Sequence, residues 1–115
     1  MIFDYKLTMD NGISAFVLSG ELVSKEQALK MLEEVDAGIE KGDNKILLDL
    51  TDLKYVNSSG LNVMINILTK ARKSGGDVAI CNVNKKINEL LVITKLNSVF
   101  NVSDSVEKAK AVLNK

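Results

Sequence analysis

The chain of 115 residues has no histidine, no proline, no tryptophan and a single cysteine. Without histidine it lacks both the commonest general base and the commonest metal ligand. Without proline, no rigid linker divides it. One cysteine excludes a disulfide framework within one copy, and no metal-ligand spacing surrounds it. Cys81 sits inside Val78-Ala79-Ile80-Cys81 and reads as a small buried strand residue. Aromatic residues make up only 4% of the chain, so its core must come from Leu, Ile, Val and Ala. Charge of either sign is not in surplus: fifteen basic residues balance fifteen acidic ones. That balance offers no surface for nucleic acid or an anionic membrane. No apolar run has transmembrane length, and no early segment has the order of a secretory signal. Cytoplasmic residence is expected, with neither nucleic acid nor membrane among the partners.

What is present suits one domain over residues 1–115, since 46% of the residues are hydrophobic. Residues 2–9 and 13–19 are strand-like, and Asp10-Asn11-Gly12 between them predicts a hairpin. Ser24 followed by Gln27 predicts a capping box, opening a helix with Ala28, Leu32, Val35 and Ile39 on one face and Gly42 as its stop. Ile46 to Leu50 reads as a strand covered on both faces. A helix from Ser58 to Lys73 ends in cations and then Gly75-Gly76. Asp77 to Cys81 is a further buried strand, and Asn84 caps a helix to about Thr94 with Ile87, Leu90 and Leu91 inward. Val99 to Val102 is a short last strand, and Asp104 with Glu107 predicts a second capping box before Val106, Ala109 and Leu113. The order β-β-α-β-α-β-α-β-α implies an α/β fold: a mixed, mostly parallel sheet with helices packed on it.

The stretch from Asp49 to Leu61 carries most of the functional information. It reads as a strand end, a short loop, and two hydroxyls, Ser58 and Ser59, where a helix begins. Helix starts present free N–H groups and a partial positive charge, so they favour phosphate and other anions. Ser58 is therefore either a plain cap or a phosphorylation switch. On a helical wheel Leu61, Met64, Ile65, Leu68 and Ala71 cluster toward the sheet, while Val63 and Ile67 fall beside Ser59, Asn66 and Lys70. Val63 and Ile67 are expected to form a small exposed apolar patch for a partner. Asp49 and Asp52 near a strand end suggest a receiver-like acidic pocket, but the first strand's exit supplies no further acid.

Gly20-Glu21-Leu22, Leu48-Asp49-Leu50, Asn57-Ser58-Ser59-Gly60-Leu61, Gly75-Gly76 and Thr94-Lys95-Leu96 with Val99-Phe100 together resemble the STAS domain. The whole chain is similar to the stand-alone bacterial anti-sigma factor antagonists. The resemblance implies a switch in place of an enzyme, with no cofactor of its own. It implies that an anti-sigma factor, usually also a serine kinase, binds around the serine loop and so releases a sigma factor. It implies phosphorylation of the first serine, Ser58, and reversal by a PP2C-type phosphatase. The partner-facing residues it suggests are Val23, Ser24, Asn57, Ser59, Gly60 and Leu61, with Val63 and Ile67 added by the wheel.

Three positions depart from the family pattern. Asn57 stands where Asp usually precedes the serine pair, Val23 where Asp often follows Gly-Glu-Leu, and Asn62 where Gly is frequent. Asn can cap as well as Asp but supplies no charge. These replacements keep open a second reading, a non-phosphorylated STAS subunit of a lipid-transport ATPase or other signalling complex. A small-molecule enzyme is disfavoured by the lack of histidine and of a convergent nucleophile–base pair.

Overall fold

Asn11 and Gly12 both adopt positive φ, 51° and 83°, the backbone that a two-residue hairpin turn requires. They join β1 (Phe3–Asp10) to β2 (Ile13–Leu22) in an unbroken antiparallel register from Phe3↔Gly20 to Asp10↔Ile13. The structure, a computed structural model, describes residues 2–114. After β2 come a 3-10 turn (Glu26–Ala28), α1 (Leu29–Glu40), β3 (Lys45–Val56), α2 (Ser58–Lys73), β4 (Asp77–Cys81) and α3 (Lys85–Ile93). A second 3-10 turn (Leu96–Ser98), β5 (Asn101–Ser103) and α4 (Val106–Leu113) complete the order. The five strands lie in the order β1-β2-β3-β4-β5, antiparallel at the hairpin and parallel elsewhere. This is the α/β architecture expected.

Alternation along each strand divides the core in two. Phe16, Leu18, Ile46, Leu48, Leu50, Val78 and Ile80 face α1, α2 and α3. Ile13, Ala15, Leu47, Ala79 and Cys81 face α4 through Ala109 and Leu113. Each fully buried Leu, Ile, Val or Phe among them contributes roughly 1.5–3 kcal/mol, and each alanine less. Burial also pushes the Cys81 thiol up to about 12, with the nearby Asp49 carboxylate adding to the effect.

Several local expectations shift. β3 does not stop at Leu50 before a loop; it continues to Val56. Its register against β2 slips between Val17 and Ser19 and again between Gly20 and Glu21, so Leu50, Leu53 and Val56 are buried at intervals of three. Bulges of this kind erase the period of two that marks a strand. The last strand begins at Asn101, after a 3-10 turn. The Ser24–Gln27 box forms only in half: Gln27 Oε1 accepts from the Ser24 and Val23 amides at 3.1 and 2.8 Å, while the turn that follows has no side-chain cap. At α4 the cap is Ser105, whose Oγ accepts from the Lys108 amide at 3.2 Å, in place of Asp104. Asn84 caps α3 as expected, but Leu90 is only partly buried.

Candidate functional site

Asn57 is the cap of α2. Its backbone is extended and its Oδ1 accepts from the Gly60 amide at 2.9 Å. The same side chain donates from Nδ2 to the Val23 carbonyl at 3.1 Å, and the Asn57 amide donates to the Leu22 carbonyl at 3.3 Å. A carboxylate could make the first of these bonds but not the second, because it has no N–H to offer. Asn57 therefore ties the helix start to the β2 exit. The loop there is held by Gln27, which accepts from Val23 and Ser24 and donates to the Glu21 carbonyl at 3.1 Å.

Capping by Asn57 leaves Ser58 and Ser59 in the first helical turn, both exposed. Among the described residues, neither hydroxyl has a hydrogen-bond partner within the domain. No acidic residue stands in the first turn of α2, whereas Lys70, Arg72 and Lys73 stand in its last. The positive end of the helix thus carries no acid of its own. Gly60, one residue on, is buried against the β2 exit. A Cβ there would lie 2.3 Å from the Leu22 carbonyl oxygen and 2.4 Å from Val56 Cγ2, so only glycine permits this approach. Leu61 is buried too. Gly60 and Leu61 position the serines and do not offer contact surface.

The expected exposed patch on α2 is overturned: Val63 is 1% and Ile67 0% exposed. Gly60 and Ala71 fall between Ile67 and Met64 on the wheel and join both groups into one apolar arc of about 200°. Lys70 marks what covers its far side, since its ammonium pairs with Asp36 of α1 at 2.9 Å. Val63 and Ile67 therefore lie under α1.

Exposed apolar surface appears on the other flank of the serine. A groove of about 580 Å³ is lined by Tyr55, Val56, Ser58, Ile87, Leu90 and Ile93, with Lys86 and Glu89 at the same place. Tyr55 is 45% and Ile93 77% exposed. Sequence reasoning missed this groove. The available signal was Val92-Ile93, lying outside the Ile87/Leu91 stripe at the end of α3. Asp49 does not build an acidic pocket: its Oδ1 accepts from the Thr51 amide, the Thr51 hydroxyl and Asn82 Nδ2 at 3.1, 2.6 and 3.1 Å. It fastens β3 to the β4 exit. Among the described residues, no group of three or more Cys, Asp or Glu side chains could hold a metal ion, and no helix is long and apolar enough to cross a membrane.

A family model described as the STAS domain matches residues 5–109. BtrV of Bordetella bronchiseptica, provisionally named an anti-sigma factor antagonist, is 32% identical over 108 residues, 92% of each chain. The crystal structure of tm1081 from Thermotoga maritima, provisionally named in the same way, superposes with a TM-score of 0.82 at 26% identity, covering 96% of this chain and 95% of that one. Bacillus SpoIIAA in its phosphorylated form gives a TM-score of 0.75 at 17% identity, covering 95% of this chain and 96% of its own. Its unphosphorylated form gives 0.74 at 16%, covering 95% and 94%; at such identity the likeness is one of fold.

Proposed function

The chain belongs to the STAS domain family, and from that premise we propose that it is an anti-sigma factor antagonist switched at Ser58. In its unmodified form it binds an anti-sigma factor that is also a serine kinase, and so releases a sigma factor. Phosphorylation of Ser58 ends the binding, and a PP2C-type phosphatase restores it. ATP and Mg²⁺ belong to the kinase.

The observation that carries this reading is the division of labour at the start of α2. Asn57 does the capping, so the exposed Ser58 hydroxyl is surplus to the fold. Phosphorylation adds close to two negative charges at neutral pH. The free N–H groups and the helix dipole accommodate them within the domain. A partner packed on Ser58 and on the apolar groove beside it must instead desolvate the dianion. The modification thus weakens the complex and spares the fold. Val23 and Ser24 border the same surface through their loop's tie to Asn57, and Ser59 adds a second free hydroxyl. With Asn57 and Val23 in place of acids, the matching kinase surface carries less positive charge than the family pattern calls for.

Pull-down of the anti-sigma factor by wild type, Ser58→Ala and Ser58→Asp tests this. We expect Ser58→Ala to bind as wild type does, and Ser58→Asp to bind at least about tenfold more weakly, a difference of ~1.4 kcal/mol. The melting temperature of Ser58→Asp should stay nearly unchanged. Mass spectrometry after incubation with the kinase, ATP and Mg²⁺ should place one phosphate on Ser58. Equal binding by all three forms, or persistent absence of that phosphate, would overturn the switch.

A further inference from the structure

The two edges of the sheet are managed differently. β5 is three residues long, whereas β1 is eight. Natural proteins blunt an edge with short strands, bulges, proline or charged side chains. β1 is long, its register is unbroken and the chain has no proline. The charges exposed along it, Asp4 and Lys6, are of opposite sign and so do not repel a suitably registered second strand. The two-residue turn makes Asp10↔Ile13 a hydrogen-bonded pair, and alternation from there points the amides of Phe3, Tyr5, Leu7 and Met9 away from β2. The outward Tyr5 amide has no strand to bond and closes on its own Asp4 Oδ1 at 2.8 Å.

The two faces of this edge differ in chemistry. Phe3, Tyr5, Leu7 and Met9 share the face that carries α1, where Tyr5 tilts against Phe16 at 6.0 Å between ring centroids. Leu7 and Met9 remain 36% and 54% exposed. Asp4, Lys6 and Thr8 share the other face, all exposed. Among the described residues, neither Asp4 nor Lys6 has an ion-pair partner.

We infer that β1 pairs antiparallel with β1 of a second copy, about a twofold axis at Tyr5. Hydrogen bonds form only where outward residues meet outward residues, so the axis must pass through a residue. An axis at Asp4 or Lys6 sets each against itself, and one at Leu7 sets Asp4 against Asp10. An axis at Thr8 sets Lys6 against Asp10, which Lys110 already holds, and runs into the turn. At Tyr5, Asp4 faces the second copy's Lys6 twice, in the closely spaced non-hydrogen-bonded positions. The same register lays Phe3, Tyr5 and Leu7 of both copies in one apolar row, and the Tyr5 amide exchanges its local bond for a ladder bond. Near Tyr5 within each copy stand the carboxylates of Glu34, Asp4 and Glu33. Asp4 gains the second copy's Lys6, and repulsion between the Glu33 and Glu34 of the two copies opposes the pairing.

Light scattering and sedimentation equilibrium on the full chain test this, with far-UV circular dichroism confirming each variant's fold. Wild type should show a reversible monomer–dimer equilibrium. Asp4→Lys and Lys6→Asp should each raise the dimer dissociation constant by about tenfold or more, because each replaces two attractive contacts with two repulsive ones. Mixing the two variants should restore association as a heterodimer, and the double exchange D4K/K6D should restore the homodimer. A wild type that stays monomeric at the highest soluble concentration would overturn the pairing and leave the edge to some other partner. Single variants that associate as wild type does, or a mixture that stays monomeric, would overturn the register.

Discussion

Helix α2, which begins at Ser58, and helix α3, which lines the groove beside it, pack on the same sheet face, but they spend their apolar residues differently. α2 buries Gly60, Leu61, Val63, Met64, Ile67, Leu68 and Ala71, and exposes polar groups. α3 buries Ile87 and Leu91 and leaves Val92 and Ile93 in solvent. The cause is position. α2 lies beneath the sheet's centre with α1 against one flank, so its apolar arc must serve two neighbours. α3 has the core on one side and an open groove on the other. An apolar residue off a helix's main stripe therefore means burial where a neighbour is present and exposed apolar surface where none is.

Mutations on the two helices should break or sharpen that contrast. The largest expected effect is from Ile67→Ala. Removing a fully buried side chain between α1 and the sheet should cost about 3–4 kcal/mol in urea unfolding. A cost below ~1 kcal/mol would mean that Ile67 faces solvent after all. Gly60→Ala should cost about 3 kcal/mol, because its Cβ meets a backbone carbonyl that cannot move aside. Asn57→Asp should cost about 1 kcal/mol by leaving the Val23 carbonyl opposite a carboxylate, with the loss read in the same unfolding experiment. Ile93→Ser on α3 should change stability by no more than about 0.5 kcal/mol. It should nonetheless weaken capture of the anti-sigma factor, measured by titration calorimetry. If it leaves that affinity unaltered, the groove has no part in docking.

The strength of local signals decided what could be read in advance. The hairpin was legible because Asn11-Gly12 tolerates positive φ, and α2 because Ser58 through Lys73 combines a start signal with terminal cations and glycine. That capping would leave a serine to spare was legible because more capping residues stand there than one cap needs. Three features were not legible. β3's extension to Val56 depends on bulges against β2, a property of the pair that one strand's pattern does not record. Burial of Val63 and Ile67 depends on α1 lying over them, and the small residues Gly60 and Ala71 disguised the width of the arc. The groove at Tyr55, Leu90 and Ile93 joins segments more than thirty positions apart, which no local window connects.

Because no interaction among the described residues requires the Ser58 hydroxyl, selection for abundance alone would hardly register it. In a library scanned for expression level, nearly every polar replacement at this position should survive, whereas the neighbouring Gly60 should tolerate almost none. If Ser58 is the proposed switch, the same library scored for regulation of transcription would rank the two alike. The distance between those two scores, taken residue by residue, would trace the outline of the partner's footprint.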